Sequence, residues 1–210
     1  KVFLDKISSR ASGLPQAEDT VKEIIEAVKK EGDASLNLYS RKFDNTEVYE
    51  IKKEEIKKAY DSSDAAYIKA LKNAADNIYE YHIRQKYDGY RIEKEGIILG
   101  CRVTPIERVG LYVPGGSAAY PSSVLMNAIP AKIAGVKEVI MITPPSKNGK
   151  PNPDILAAAY ICNVDRIFIA GGAQGIAALA YGTDTVPKVD KIVGPGNIYV
   201  ATAKKMLFGT

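Results

Sequence analysis

The sequence predicts an α/β fold in which a helical N-terminal region precedes a parallel sheet. Between residues 108 and 208, short apolar runs that end in glycine or proline alternate with helical segments. This alternation is typical of parallel strands joined by right-handed helical crossovers. Between residues 1 and 95, apolar residues recur instead with the spacing of amphipathic helices. We therefore divide the chain into residues 1–108 and residues 109–210.

The N-terminal region is predicted to hold four helices and a β-hairpin, each bounded by capping or turn residues. The first helix is expected to be capped by Asp19 or Thr20 and to end at Gly32-Asp33, where the second helix begins. The third is expected at about 52–61, and the fourth from Ser63-Asp64 to about 87. The hairpin turn is expected at Glu95-Gly96. His82, the only histidine, falls on the apolar stripe of the fourth helix, and we expect it to be a core residue hydrogen-bonded to Gln85.

The region from 109 to 210 is predicted to contain four βα units. Its strands read as continuous apolar runs, which indicates that helices cover both faces of the sheet. We therefore predict a Rossmann-like parallel sheet. The expected strands are 109–113, 138–143, 166–170 and 191–193, and the expected helices are about 121–135, 152–163, 173–182 and 197–208.

Composition narrows the classes of function. Apolar residues make up 46% of the chain and charged residues 26%, the balance of an ordinary globular protein. The net charge of +4 is mild, and lysines alternate with glutamates in residues 52–58, so we expect a solvated helix face and no nucleic-acid partner. No signal peptide and no apolar run of about 20 residues is present, which favours a cytoplasmic protein without a membrane partner. Cys101 and Cys162 are expected to be reduced and buried.

Three of the predicted strands end in glycine-rich turns that open into helices. Such turns lie along the carboxyl edge of a parallel sheet, where ligands bind, and the following helix offers free N–H groups to phosphate. Glycine is also needed for turn geometry alone, and the G-x-G-x-x-G fingerprint is absent. Spacing alone thus predicts an α/β domain that binds a small anionic ligand. The turns are Val113-Pro114-Gly115-Gly116-Ser117, Ala170-Gly171-Gly172-Ala173-Gln174 and Gly194-Pro195-Gly196-Asn197.

Longer motifs around these turns resemble the histidinol dehydrogenase family. Phe43-Asp44 and Tyr81-His82 with Gln85 fit the same family, and the likeness runs through nearly the whole chain. The motifs are Arg108-Val-Gly-Leu-Tyr-Val-Pro-Gly-Gly-Ser117, Pro121-Ser-Ser-Val-Leu-Met126, Pro130-Ala-Lys-Ile-Ala-Gly135, Gly171-Gly-Ala-Gln-Gly-Ile-Ala-Ala-Leu-Ala-Tyr-Gly-Thr183 and Val186-Pro-Lys-Val-Asp-Lys-Ile-Val-Gly-Pro-Gly-Asn197.

The resemblance implies a cytoplasmic, zinc-dependent homodimer. Its implied reaction is the oxidation of L-histidinol to L-histidine through L-histidinal by two hydride transfers to NAD, the last step of histidine biosynthesis. It also implies that Tyr112, Gln174 and Asn197 bind NAD. Each has a structural alternative: Tyr112 as core packing at a strand end, Gln174 as a helix cap, and Asn197 as an N-cap, which is compatible with ligand contact.

The residues that carry the family's chemistry are expected outside this sequence. The family's zinc ligands are a glutamine, two histidines and an aspartate, and a glutamate–histidine pair performs its acid–base work. None of these matches a residue here, so we expect no metal ligand and no catalytic residue in this chain, and Asp184, Asp190 and Lys191 read as caps or surface charges. The resemblance therefore implies the NAD-binding N-terminal half of the enzyme, inactive alone.

Two further expectations follow. Residues 1–108 would belong to an incomplete first domain whose helices and hairpin leave apolar surface uncovered, whereas residues 108–208 would fold well alone. The alternative function is a stand-alone nucleotide-binding or regulatory module without dehydrogenase activity. A less favoured alternative is an unrelated α/β enzyme that acts on a phosphorylated sugar or nucleotide.

Overall fold

A computed structural model describes residues 14–115, 119–146 and 149–209. Gly116 and Ser117 of the first predicted glycine turn therefore lie outside the described residues. The elements follow one another as α1 (Leu14–Glu31), α2 (Asp33–Asp44), β1 (Tyr49–Glu50), α3 (Lys53–Asp61), α4 (Ala65–Ile83), β2 (Tyr90–Lys94), β3 (Ile97–Cys101), β4 (Arg108–Tyr112), α5 (Pro121–Ile133), β5 (Glu138–Thr143), α6 (Pro153–Ile161), β6 (Arg166–Ile169), α7 (Gly172–Tyr181), β7 (Lys191–Val193) and α8 (Ile198–Met206).

The four predicted βα units form the parallel part of a five-stranded sheet in the order β1-β6-β5-β4-β7. The chain builds β4, β5 and β6 outward in one direction and then returns to place β7 on the other side of β4. This confirms the predicted Rossmann-like parallel sheet. The reversal of direction lies between β4 and β7, and ligands of such sheets bind outside the carboxyl ends of the strands at that point.

An antiparallel edge strand, β1, was not predicted. It is only two residues long, too short to show the alternation that identifies a strand. Its backbone pairs with β6, and the Ile51 N–H donates to the Ile167 carbonyl at 2.8 Å. The Arg166 guanidinium also makes two hydrogen bonds, of 2.9 and 2.6 Å, to the Glu50 carboxylate. These contacts attach the N-terminal region to the sheet edge.

Both faces of the sheet are covered, as the continuous apolar strands indicated. Side chains alternate along β5, so Ile142 belongs to a core with α1, α2, α7 and α8, whereas Met141 belongs to a core with α3, α4, α5 and α6. Helices from the N-terminal region take part in both cores, and Leu36 of α2 is completely buried in the same core as Phe168 of β6. The N-terminal helices thus pack on the sheet itself.

The first helix begins earlier than predicted. It starts at Leu14, so Asp19 and Thr20 lie inside the helix and do not cap it. The predicted break at Gly32 is confirmed, and Asp64 caps α4 through a 2.9 Å hydrogen bond from the Tyr67 N–H.

The end of α4 and the hairpin differ from the prediction in exposure. Helix α4 ends at Ile83, before the predicted end near residue 87, and His82 is half-buried near that end rather than in the core. Its Nδ1 does lie 2.7 Å from the Gln85 amide oxygen, as predicted. Among the described residues, strands β2 and β3 pair only with each other, and both are exposed along their length. Cys101, on β3, is therefore exposed and the prediction of burial is wrong, whereas Cys162 is buried.

Exposed apolar side chains are concentrated on the hairpin. Ile98 is 64% exposed and Leu99 57% exposed. This agrees with the expectation that the N-terminal region carries uncovered apolar surface. None of the helices in the described parts of the chain is long and apolar enough to cross a bilayer.

Candidate functional site

A cavity of about 810 Å³ opens at the carboxyl edge of the parallel sheet. The loops after β4, β6 and β7 line it, which places it at the reversal point between β4 and β7. Helices α1 and α2 contribute another part of the wall through Ile24, Phe43 and Asp44. The size lies within the usual range of small-molecule and cofactor sites, about 300–1,000 Å³. Tyr112, Gln174 and Asn197, each from a different strand-to-helix connection, all line this cavity.

Tyr112 lies at the end of β4, with its ring in the core and its hydroxyl toward the glycine turn after β6. The residue is 4% exposed and packs among the apolar residues of the α1–α2–α7–α8 core. Burial raises the pKa of Tyr112 to about 12, and a hydrogen bond from the Gly172 N–H partly opposes this rise. The phenol is therefore neutral and able to donate at physiological pH. Tyr112 thus packs in the core, as one of its two predicted roles requires, and also lines the cavity. Its other predicted role, contact with NAD, stays a prediction.

Gln174 is almost completely buried, at 1% exposed, in the first turn of α7. Its side-chain Nε2 donates to Asp44 Oδ2 at 3.2 Å. The N-cap residue of α7 is Gly171, and no side chain caps this end of the helix. Gln174 therefore does not act as a helix cap. The amide is held against a carboxylate from the N-terminal region.

Asn197 is the N-cap of α8, and its Oδ1 accepts from the Val200 N–H at 3.1 Å. The residue is exposed to the cavity, and within the described parts of the chain no protein acceptor bonds its Nδ2. Capping uses only the oxygen of the amide. The two N–H bonds of the amide therefore remain able to donate to a ligand while the cap is intact.

Asp44 is the site residue whose role sequence reasoning missed. It is the last residue of α2, and its Oδ2 accepts from the Gly171 N–H at 3.1 Å as well as from Gln174. A Cβ on Gly171 would lie 2.9 Å from both Asp44 carboxylate oxygens, so a larger residue here would require the carboxylate to shift. Burial raises the pKa of Asp44 above its ordinary value, and the bonds from Gly171 and Gln174 partly offset that rise.

The turn after β7 is tied to the end of β4. Gly194 has a φ of +108°, and a Cβ there would lie 2.1 Å from the Tyr112 carbonyl oxygen, so only glycine fits. Its own carbonyl accepts from Lys204 Nζ at 2.8 Å, and burial lowers the pKa of that lysine. These contacts fix the turn that leads to Asn197. The positions of Tyr112 and Asn197 are therefore coupled through Gly194.

The other polar residues considered in the sequence lie away from the cavity. Asp190 accepts from the Arg108 N–H at 2.8 Å, at the amino-terminal end of the sheet, which is the role of a structural cap. His82 lies on α4 with an edge contact to Tyr81. Across residues 14–115, 119–146 and 149–209, no group of three or more histidine, cysteine, aspartate or glutamate side chains is arranged to hold a metal ion.

Fold and cavity together define a class: Rossmann-like α/β proteins with a cavity at the point where strand order reverses, where ligands of such sheets bind. The chain matches the family model described as histidinol dehydrogenase over residues 8–210. It belongs to the histidinol dehydrogenase family.

Individual relatives agree with this assignment. The histidinol dehydrogenase of Clostridium acetobutylicum is 57% identical over 193 residues, which cover 90% of this chain and 45% of that protein. That of Listeria monocytogenes is 52% identical over 207 residues, covering 97% of this chain and 48% of that protein. The crystal structure of histidinol dehydrogenase from Elizabethkingia anophelis matches with a TM-score of 0.84 and 40% identity, covering 90% of this chain and 44% of that one. The chain thus spans about half the length of the relatives it matches.

Proposed function

We propose that the protein containing this chain oxidises L-histidinol to L-histidine through L-histidinal, using NAD, and that this chain supplies the NAD-binding part. Family membership supports the reaction. The observation that supports the binding role is the convergence of Tyr112, Gln174 and Asn197 on one cavity at the reversal point of the sheet. A cytoplasmic homodimer is proposed on the family resemblance alone.

The residues present fit a dinucleotide. Bound NAD supplies a nicotinamide ring that accepts hydride. Asn197 would donate its free amide N–H bonds to phosphate oxygens beside the amino-terminal end of α8, where the helix dipole favours negative charge. The neutral hydroxyl of Tyr112 would donate a hydrogen bond to the ligand. Gln174 would contact the ligand through its side-chain amide, which is positioned by the hydrogen bond to Asp44.

The residues present do not fit zinc. No candidate ligand cluster occurs in the part of the chain that the structure describes, and zinc sites need several converging His, Cys or carboxylate ligands. The zinc ligands and the acid–base pair are proposed to lie in a part of the protein outside this sequence, and the 210-residue chain is proposed to be inactive alone.

Enzymatic assay of the complete reading frame tests the reaction. NADH formation, followed by absorbance in the presence of zinc and L-histidinol, is the expected result. NAD binding without turnover would instead favour the stand-alone nucleotide-binding module. Binding of a sugar phosphate in preference to NAD would favour an unrelated α/β enzyme.

A substitution that keeps the helix cap tests the binding site. Serine caps a helix about as well as asparagine but lacks the amide N–H bonds, so Asn197→Ser separates the two roles of this residue. We expect calorimetric titration to show about tenfold weaker NAD binding in this variant, in keeping with the loss of a hydrogen bond to a charged group. Asn73→Ala, on the exposed surface of α4, is the control and should bind NAD as the unsubstituted protein does. Equal affinity in both variants would contradict the assignment of Asn197.

A further inference from the structure

Asp44 gives one end of the proposed NAD cavity a negative charge. The carboxylate is partly buried, lines the cavity, and stands beside the amino-terminal end of α7. Glycine turns that open into helices commonly bind phosphate through free backbone N–H groups. Here the Gly171 N–H is bonded to Asp44. The protein itself therefore occupies one of the groups that a phosphate would use.

The two oxygens of Asp44 have different surroundings. Oδ2 accepts from Gly171 and from Gln174. Oδ1 accepts no hydrogen bond within the described residues and is not among the buried polar atoms that lack a partner. It thus retains an acceptor for a ligand in the cavity. An ionised carboxylate accepts hydrogen bonds only, so it suits a hydroxyl group and repels a phosphate.

The geometry points to Asp44 as the residue that makes this end of the cavity select an unphosphorylated sugar. Its Oδ2 holds the Gln174 amide, and its Oδ1 accepts a hydrogen bond from a ribose hydroxyl. This inference rests on the proposed binding of a dinucleotide. It assigns the diphosphate to the Asn197 side, where α8 begins and an amide donor is free. The negative charge of Asp44 would also produce a preference for NAD over NADP, because the adenosine ribose of NADP carries a 2′-phosphate.

Asp44→Asn reverses the polarity of the atom available to the ligand. The asparagine oxygen can keep the bonds from Gly171 and Gln174, which leaves the amide N–H bonds toward the cavity. We expect NAD binding to weaken about tenfold and NADP binding to strengthen, because a donor replaces an anionic acceptor. Asp44→Glu keeps the charge and should still reject NADP. Asp76→Asn, on the exposed surface of α4, is the control for charge alone.

The measurement is calorimetric titration of NAD and NADP into the full-length protein and these variants. A ratio of NAD to NADP affinity that is unchanged in Asp44→Asn, or lost equally in Asp44→Glu, would overturn the inference.

NAD whose adenosine ribose lacks the 2′-hydroxyl provides a test that needs no variant. The unsubstituted protein should bind this analogue about tenfold more weakly than NAD. Equal binding of the two would count against the inference. If the unsubstituted protein binds no NAD, the proposed function fails; if NAD binds but the affinity ratio does not depend on Asp44, only the present inference fails.

Discussion

The side chains of Asp44 and Gln174 are 130 positions apart in the sequence, and the Gln174 amide nitrogen lies 3.2 Å from Asp44 Oδ2. Asp44 ends the second helix of the N-terminal region, whereas Gln174 begins a helix that follows the third parallel strand. The contact shows that the N-terminal region builds part of the cavity wall. It also places an ionisable group in a partly desolvated position, which has a consequence for stability.

Asp44→Asn is expected to leave the free energy of unfolding unchanged or to raise it at neutral pH. Burial raises the pKa of Asp44, so the folded protein binds this proton more tightly than the unfolded chain does. The cost of the ionised carboxylate therefore grows as the pH rises above the unfolded-state pKa and is complete above the folded-state pKa. The difference between variant and unsubstituted protein should shrink as the pH falls from the folded-state value toward the unfolded-state value. Urea unfolding at a series of pH values measures this, and a variant that is clearly less stable at pH 7 would contradict it.

Gly171→Ala should destabilise the fold by about 1–3 kcal/mol, the usual cost of overpacking. The added Cβ would lie 2.9 Å from both carboxylate oxygens of Asp44 and would displace that side chain. In a double-mutant cycle by urea unfolding, the same substitution in an Asp44→Ala background should cost less. Equal costs in the two backgrounds would show that the carboxylate does not set the requirement for glycine.

Glu50→Gln should weaken the attachment of β1 to β6. The Arg166 guanidinium lowers the pKa of Glu50, so the pair stabilises the fold above the unfolded-state pKa and loses its effect as the pH falls through the folded-state value. Since the two side chains are 33% and 41% exposed, we expect a loss of only about 0.5 kcal/mol in the free energy of unfolding. Glu47→Gln, which removes the more exposed pair with Arg41, is the matched control for urea unfolding and should have a smaller effect. A loss for Glu50→Gln that did not depend on pH would argue against the ion pair.

Leu36→Ala tests whether the N-terminal helices and the sheet unfold together. Leu36 is completely buried in the same core as Ile142 and Phe168, so its truncation should cost about 2–5 kcal/mol and lower the stability of the whole chain in one transition. Leu38→Ala, two residues along α2 and 56% exposed, should have little effect. Thermal unfolding followed by circular dichroism and by tyrosine fluorescence measures both. Separate transitions would support the division at residue 108, under which residues 108–208 fold well alone.

Elements with a clear local signal could be predicted from the sequence. The alternation of apolar runs and helices located the four parallel strands to within one or two residues. Local patterns gave no account of β1, because two residues of backbone pairing are decided by the neighbouring strand. The exposure of Cys101 was mispredicted for a similar reason, since an apolar neighbourhood along the sequence does not ensure a covering layer in space.

The candidate site was predicted in part. Motifs pointed to Tyr112, Gln174 and Asn197, and all three line one cavity, while their contact with NAD stays a prediction. Phe43-Asp44 matched the family, but no role for Asp44 could be predicted, because its partners come from a turn more than 120 residues later. The glycine pair at Gly171 and Gly172 leaves the space into which the Asp44 and Gln174 side chains fit.

The cavity wall contributed by α1 and α2 means that an occupant would bridge two parts of the chain. A molecule seated between Ile24 and Phe43 on one side and Asn197 on the other would hold the first two helices against the sheet. Because the ligand binds only when these helices are in place, its binding raises the free energy needed to separate them from the sheet. Hydrogen exchange in α1 and α2 should accordingly slow on saturation with cofactor, so that the cofactor acts as a strap for the amino-terminal part of the fold.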